Sequence, residues 1–191
     1  DGVTTRLDEN HYIMTTTTGG AANVMGKLED YLQTEWPELD VYLTSVTDHF
    51  ATASVCGPNS KKIINKLIPD LDLSDENFPH MSYKEARIGK IQCRVMRISF
   101  TGELSYEINI QASYGKNLWD QCMDAGKEFN ITPYGTETMH LLRAEKGFII
   151  VGQDTDGTMT PIDLQMDWIV SKKKYDFIGK RSLYRSDTMR E

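Results

Sequence analysis

Apolar and polar side chains alternate strictly through one segment in the second half of the chain, residues 104–110. The apolar positions are Leu104, Tyr106, Ile108 and Ile110, and the polar positions between them are Ser105, Glu107 and Asn109. Alternation with a period of two is typical of a β-strand with one buried and one polar face. A turn at 101–103 precedes this strand, and its Glu103 is predicted to face solvent. The pattern therefore places the Glu107 carboxylate on the polar face, in the middle of a strand.

The rest of the chain alternates strands with helices in two similar rounds. The pattern predicts strands at 11–18, 41–46, 50–56, 83–88 and 91–100, and helices near 25–36, 58–68, 118–129 and 136–146. Paired strands followed by a helix, twice over, favour an α+β fold with antiparallel sheets and helices packed on them. We expect one unit over 1–70, a second over 81–168 that carries Glu107, and a polar C-terminal segment over 169–191.

Composition limits the class of protein. With 191 residues, 39% of them hydrophobic, the chain can bury a core. The net charge of −7 argues against a nucleic-acid partner, because phosphate binding needs a clustered positive face. No apolar run is long enough to span a bilayer, so we expect no membrane association. Three widely spaced cysteines form neither a disulfide framework nor a zinc site, and they suit a reducing cytoplasm.

The chemistry of Glu107 has two interpretations. A carboxylate on a polar strand face can accept two parallel N–H donors, and the aminopyrimidine edge of a pterin offers that pair. The alternative is a solvated glutamate on an ordinary amphipathic strand. No histidine or cysteine spacing indicates a metal centre, and no Gly-x-Gly-x-x-Gly or Walker loop is present. The strand alone leaves both interpretations of Glu107 open.

Residues 100–108 read Phe-Thr-Gly-Glu-Leu-Ser-Tyr-Glu-Ile and resemble the Tyr-Thr-Gly-Glu-Asp-Gly-x-Glu-Ile segment of the glycine-cleavage T-protein (aminomethyltransferase) family. Supporting segments follow in order along nearly the whole chain, at 1–7, 15–20, 33–37, 41–48, 131–137, 142–158 and 169–174. The resemblance is strongest to the folate-binding part of the alpha subunits of heterotetrameric sarcosine oxidases. Two departures from glycine-cleavage enzymes fit this branch: Phe100 replaces a tyrosine, and Met139 replaces an arginine.

The resemblance implies a fold and a reaction. The fold would contain two βαβ-type, ferredoxin-like units, with its first strands before Asp1 and a barrel domain after Glu191, inside a larger polypeptide. The intact enzyme would oxidise sarcosine on a flavin in a partner subunit. Tetrahydrofolate on this domain would capture the imine to give methylenetetrahydrofolate and glycine, while FAD, FMN and NAD would be held elsewhere in the complex. The expected partners are the folate and the other sarcosine oxidase subunits.

The resemblance also implies roles for individual residues. Asp1 matches the aspartate that the family places beside folate N10 and the one-carbon unit, which makes it the catalytic candidate. Glu107 matches the pterin-binding glutamate, and Phe100 keeps a stacking surface. Tyr106 and Arg143 are further folate-binding candidates, with core packing the alternative for Tyr106 and a structural salt bridge the alternative for Arg143. No metal site is expected.

Other functions within reach of the same sequence remain open. One is a related enzyme of the family, either a dimethylglycine-oxidising protein or a stand-alone aminomethyltransferase. Another is a non-enzymatic folate-binding protein that assists iron–sulfur assembly, although the Lys-Gly-Cys-Tyr-x-Gly-Gln segment of those proteins has no cysteine here, since Phe148 follows Lys146-Gly. A third is a structural subunit domain that does not bind folate.

Overall fold

The computed structural model describes residues 2–184. The chain forms two compact units, Asp1–Phe148 and Ile149–Glu191. Within the described residues, all six β-strands and the four longer α-helices belong to the first unit. The expected divisions lay at 70–81 and at 169, and the strand pairing described below concerns the first of them.

A two-stranded hairpin opens the first unit. Strand β1, Gly2–Asp8, pairs antiparallel with β2, His11–Thr16, and the register places Gly2 opposite Thr16. A Cβ atom on Gly2 would lie 1.9 Å from the Thr15 carbonyl oxygen, so glycine is the residue that permits this close approach. The sequence pattern predicts β2 and misses β1, because Thr4-Thr-Arg-Leu-Asp8 carries few apolar residues.

A second, four-stranded sheet is antiparallel throughout. Its strands are β3 at Phe50–Cys56, β4 at Tyr83–Ile88, β5 at Ile91–Met96 and β6 at Ser105–Gln111, in the spatial order β3-β6-β5-β4. The predicted α+β class with antiparallel sheets is confirmed. Strand β3 of the expected first unit pairs with β6 of the expected second unit, so one sheet joins the two. Sequence pattern cannot reveal such a pairing, because it joins residues that are far apart in the chain, from Cys56 opposite Ser105 to Phe50 opposite Gln111.

Two helices cover the apolar face of this sheet. Helix α2, Ser60–Leu67, and helix α3, Gly115–Gly126, pack on each other and on strands β3 and β6. The core between them is lined by Val55, Ile63, Ile64, Ile68, Phe78, Val95, Tyr106, Ile108, Ile110, Leu118 and Cys122. Burial of this apolar surface is what holds the helices against the sheet. The opposite face of the sheet carries the polar alternate positions, including Glu107.

Two further helices of the first unit and the short elements of the second unit make up the rest of the described fold. Helix α1 is Ala21–Thr34 and helix α4 is Thr136–Glu145. Residues 41–46 form no strand, so the predicted pairing of 41–46 with β3 is wrong, and β3 pairs with β6. In the second unit the described residues form mainly turns, with a short 3-10 helix at Asp167–Ile169 and helix α5 at Lys180–Leu183. Within residues 2–184, we find no helix with the length and hydropathy needed to cross a bilayer.

Candidate functional site

The candidate site is built around Glu107 on an interior strand. Strand β6 is flanked by β3 on one side and β5 on the other, and Glu107 lies opposite Ser54 and Met96 in the two registers. The neighbouring ladders occupy the backbone N–H and C=O groups of this strand, so recognition by the strand falls to its side chains. The alternation predicted from sequence is present, because Glu107 lies on the face opposite the core residues Tyr106 and Ile108.

Short polar side chains of β3 and β6 flank Glu107 on this face, while Met96 lies beside it on β5. The Thr52 hydroxyl donates to the Asn109 side-chain oxygen at 2.8 Å, and the Ser54 and Ser105 hydroxyl oxygens lie 3.3 Å apart. These bonds link β3 to β6 on both sides of Glu107 along the strand. They fix the polar face as a set of hydroxyl and amide groups around one carboxylate.

Tyr134 approaches the same face from the segment that leads into α4. The Cys56 thiol donates to the Tyr134 hydroxyl oxygen at 3.2 Å. Cys56 lies opposite Ser105, and Ser54, the cross-strand neighbour of Glu107, is two residues before Cys56. Side chains two residues apart on a strand share a face, so the Tyr134 hydroxyl lies on the Glu107 face, one residue pair away.

The electrostatics of the site follow from burial. Burial raises the pKa of Glu107, and the carboxylate has neither a hydrogen-bond donor nor a cation partner within residues 2–184. Burial also raises the pKa of Tyr134 to about 12, with the interaction with Cys56 as the next cause, while a hydrogen bond with Ser54 lowers it. The Glu107 charge adds to the upward shift of Tyr134. The result is a partly desolvated acceptor beside a phenol that keeps its proton.

A cleft lies between the hairpin and the sheet. The Tyr83 hydroxyl donates to the Leu7 carbonyl oxygen at 2.8 Å, and the Thr5 hydroxyl lies 3.8 Å from the Met96 sulfur. A cavity of about 360 Å³ is lined by Val3, Thr4, Thr5, Arg6, Met81, Ser82, Tyr83, Met96 and Ile98. One lining residue, Met96, is the cross-strand neighbour of Glu107. Asp1, the predicted catalytic residue, lies outside the described residues.

Tyr106 is a core residue, which corrects its prediction as a folate contact. Its side chain is 0% exposed and packs with Phe78, the two ring centroids lying 5.9 Å apart. Adjacent residues of a strand point to opposite faces, so a ligand held by Glu107 cannot be reached from Tyr106. Core packing, the alternative interpretation from sequence, describes its position.

Arg143 lies in the last turn of α4. It is 7% exposed, and its Nη1 donates to the Phe148 carbonyl oxygen at 2.9 Å. The Phe148 amide in turn donates to the Arg143 carbonyl oxygen at 2.9 Å. These bonds tie the C-terminal end of α4 to the chain that follows it, so the structure gives Arg143 a role in holding its own segment. A contact with folate stays a prediction.

Phe100 and Glu103 lie in the connection between β5 and β6. The Phe100 ring is 40% exposed and offers an apolar surface. Gly102 has φ of 76°, and a Cβ atom there would lie 2.6 Å from Lys146 Cγ, so this turn packs directly against Lys146. The Lys146 ammonium lies 3.1 Å from the Glu103 carboxylate, and the Glu103 side chain is 33% exposed. Glu103 is therefore a partly exposed turn residue, as predicted, but its carboxylate pairs with Lys146.

Two residues of this face were missed as candidates. Tyr134 comes 27 positions after Glu107, and only the fold brings its hydroxyl to β3. Asn109 was placed on the polar face by the alternation, but its 93% burial and its bond to Thr52 require the β3–β6 pairing. Within residues 2–184 no group of three or more His, Cys, Asp and Glu side chains is arranged to hold a metal ion.

This geometry defines a class of protein: an α+β domain with a half-buried carboxylate on one face of an antiparallel sheet. The GCVT N-terminal domain family matches residues 1–174, and the chain belongs to that family. The predicted resemblance to the aminomethyltransferase family is thereby confirmed.

Individual relatives agree with this assignment. The chain is 58% identical over 192 residues to sarcosine oxidase subunit alpha of Corynebacterium sp. (strain P-1), covering 100% of the chain and 20% of that protein. It is 44% identical over 187 residues to the Rhizobium meliloti (strain 1021) sarcosine oxidase subunit alpha, covering 97% and 19%. It is 30% identical over 179 residues to the aminomethyltransferase of Thermoanaerobacter sp. (strain X514), covering 93% and 46%. The chain thus spans about a fifth of the length of the two sarcosine oxidase subunits.

Proposed function

We propose that this chain is a folate-binding one-carbon transfer domain. The observation that carries the proposal is Glu107, a half-buried carboxylate with no donor or cation partner within residues 2–184. Desolvating a carboxylate without pairing it costs free energy, and a ligand that brings two N–H donors repays that cost. The aminopyrimidine edge of a pterin is such a ligand. Membership of the GCVT N-terminal domain family and likeness to an aminomethyltransferase support this choice.

The residues of the chain would act by binding and orienting. Glu107 accepts the two N–H groups of the pterin edge and, being fixed in an interior strand, sets the plane of the ring. Phe100 supplies an exposed aromatic surface on the connection that enters β6. Asp1, the residue before Gly2 in the sequence, would orient or deprotonate the attacking amine, by analogy with the family aspartate. Tetrahydrofolate, when bound, supplies the nucleophilic nitrogens that take up the one-carbon unit.

In the complete protein, the proposed reaction starts from sarcosine. Sarcosine is oxidised on a flavin outside this chain, and the imine is captured on tetrahydrofolate to yield methylenetetrahydrofolate and glycine. FAD, FMN and NAD would be bound by other parts of the protein or by other subunits of a sarcosine oxidase. Capture is chemically reasonable because a released imine hydrolyses to formaldehyde, and a domain that excludes water prevents this loss.

The test follows the methyl carbon. The full-length protein that carries this chain is incubated with sarcosine that has a ¹³C-labelled methyl group, with and without tetrahydrofolate. The labelled products are distinguished by NMR. We expect the label in methylenetetrahydrofolate when tetrahydrofolate is present and in formaldehyde when it is absent. The rate of oxygen consumption, which reports flavin chemistry, should be the same in both. Two results would refute the transfer function: label that appears only as formaldehyde under both conditions, or methylenetetrahydrofolate that forms no faster than by uncatalysed condensation of formaldehyde with tetrahydrofolate.

A further inference from the structure

Tyr134 is the group on the Glu107 face whose chemistry the proposed function has not used. Its hydroxyl oxygen accepts a hydrogen bond from the Cys56 thiol at 3.2 Å, and its side chain is half-buried. The register places Cys56 opposite Ser105 and Ser54 opposite Glu107. The phenol therefore lies on the same face of the sheet as the Glu107 carboxylate. The two residues also interact electrostatically, since the Glu107 charge adds to the upward shift of the Tyr134 pKa.

Glu107 and Tyr134 have complementary hydrogen-bonding groups, since one offers an acceptor and the other a donor. The carboxylate of Glu107 is an acceptor, and it has no donor within residues 2–184. A phenol has one proton to donate and an oxygen that accepts. The Tyr134 oxygen accepts from the Cys56 thiol. The Ser54 bond lowers the Tyr134 pKa, as a bond donated to the phenol oxygen does, so the O–H proton is the group left to donate. Because burial keeps this phenol protonated well above neutral pH, it remains a donor under all physiological conditions.

We propose that Tyr134 is a further ligand-binding residue of this site, and that its hydroxyl donates a hydrogen bond to a carbonyl oxygen on the ring edge that Glu107 holds. The inference rests on the proposed function. It narrows the ligand to heterocycles that present two N–H donors beside one carbonyl oxygen, the pattern of a 2-amino-4-oxo ring. Glu107 accepts from the two N–H donors of the ligand, and Tyr134 donates to its carbonyl oxygen, so the two side chains together set the specificity of the site.

The experiment is a double-mutant cycle on the full-length protein, with folinic acid titrated in a calorimeter. The variants are Tyr134→Phe, Glu107→Gln and the two combined, with Tyr42→Phe as the matched control. Tyr42 is 90% exposed, so loss of its hydroxyl should change the affinity by less than about twofold. Tyr134→Phe keeps the ring and removes only the hydroxyl, and it should weaken binding about three- to tenfold. In the combined variant the loss should be smaller than the product of the two single losses, because both residues hold one ring edge.

Each result separates the inference from the function on which it rests. If Glu107→Gln weakens binding while Tyr134→Phe matches the unsubstituted protein, the role of Tyr134 is overturned and the folate function stands. If the two losses multiply without coupling, Tyr134 acts only by anchoring the segment before α4, and the inference is again overturned. If neither substitution changes the affinity, the proposed function fails together with it.

Discussion

Glu107→Gln is the substitution that tests the site most directly, because it has opposite expected effects on binding and on stability. Gln keeps the size of Glu but replaces an ionised acceptor with an amide whose NH₂ group opposes one of the pterin donors. A charge-assisted pair of this kind contributes about 1.5–3 kcal/mol. We therefore expect the affinity for folinic acid to fall by about one to two orders of magnitude. Glu107→Ala should do at least as much harm, since it leaves both ligand donors unpaired in a partly desolvated site.

Glu107→Gln should weaken ligand binding but increase the stability of the fold. Burial raises the pKa of Glu107 above its ordinary value of 4.5. A carboxyl group whose pKa is raised in the fold contributes stability that is present below the unfolded pKa and lost as pH rises through the folded pKa. At neutral pH the ionised side chain therefore carries an uncompensated desolvation cost, which neutral Gln removes. Glu107→Gln should melt at a higher temperature than the unsubstituted protein at pH 7, and the difference should shrink below pH 4.5.

The assay is calorimetric titration of folinic acid into the full-length protein, combined with thermal unfolding at the two pH values. Glu29→Gln is the matched control, because Glu29 is an exposed glutamate in the middle of α1. Glu103 is unsuitable for that purpose since it pairs with Lys146. Flavin reduction by sarcosine should be the same in all variants. Equal affinities for the unsubstituted protein and Glu107→Gln would reduce Glu107 to an ordinary strand residue and refute the reasoning.

Three further predictions follow from the fold. Tyr106→Phe should leave folinic acid affinity unchanged and unfolding stability equal or higher by up to about 1 kcal/mol, because the buried hydroxyl has no partner within residues 2–184; weakened binding would contradict its place in the core. Gly102→Ala should cost about 1–2 kcal/mol in urea unfolding, since φ of 76° is unfavourable with a Cβ atom; an unchanged midpoint would count against it. The purified 191-residue chain should consume no oxygen with sarcosine, because it contains no dinucleotide-binding motif; measurable uptake in an oxygen electrode would disprove this.

Local patterns were enough to predict most of the helices and strands and the orientation of Glu107. Alternation around 104–110 correctly placed Tyr106 and Glu107 on opposite faces, because a strand has an exact two-residue period. Apolar spacing located α2, α3 and α4 to within a few residues, since a helix buries one stripe of its surface. The strand β1 and the absence of a strand at 41–46 were not predicted, because both depend on which partner strand is available.

The sequence by itself therefore determined the α+β class, the family and the strand that carries the carboxylate. Each of these is encoded in short segments whose periodicity or motif is local. Only the tertiary structure decided that β3 pairs with β6, which merges the two expected units into one sheet and surrounds Glu107 with Ser54 and Asn109. It also decided that Tyr134 reaches Cys56 and that Glu103 pairs with Lys146. These contacts join residues that are distant in the chain, and they exist only once burial of the common core has brought their strands and helices together.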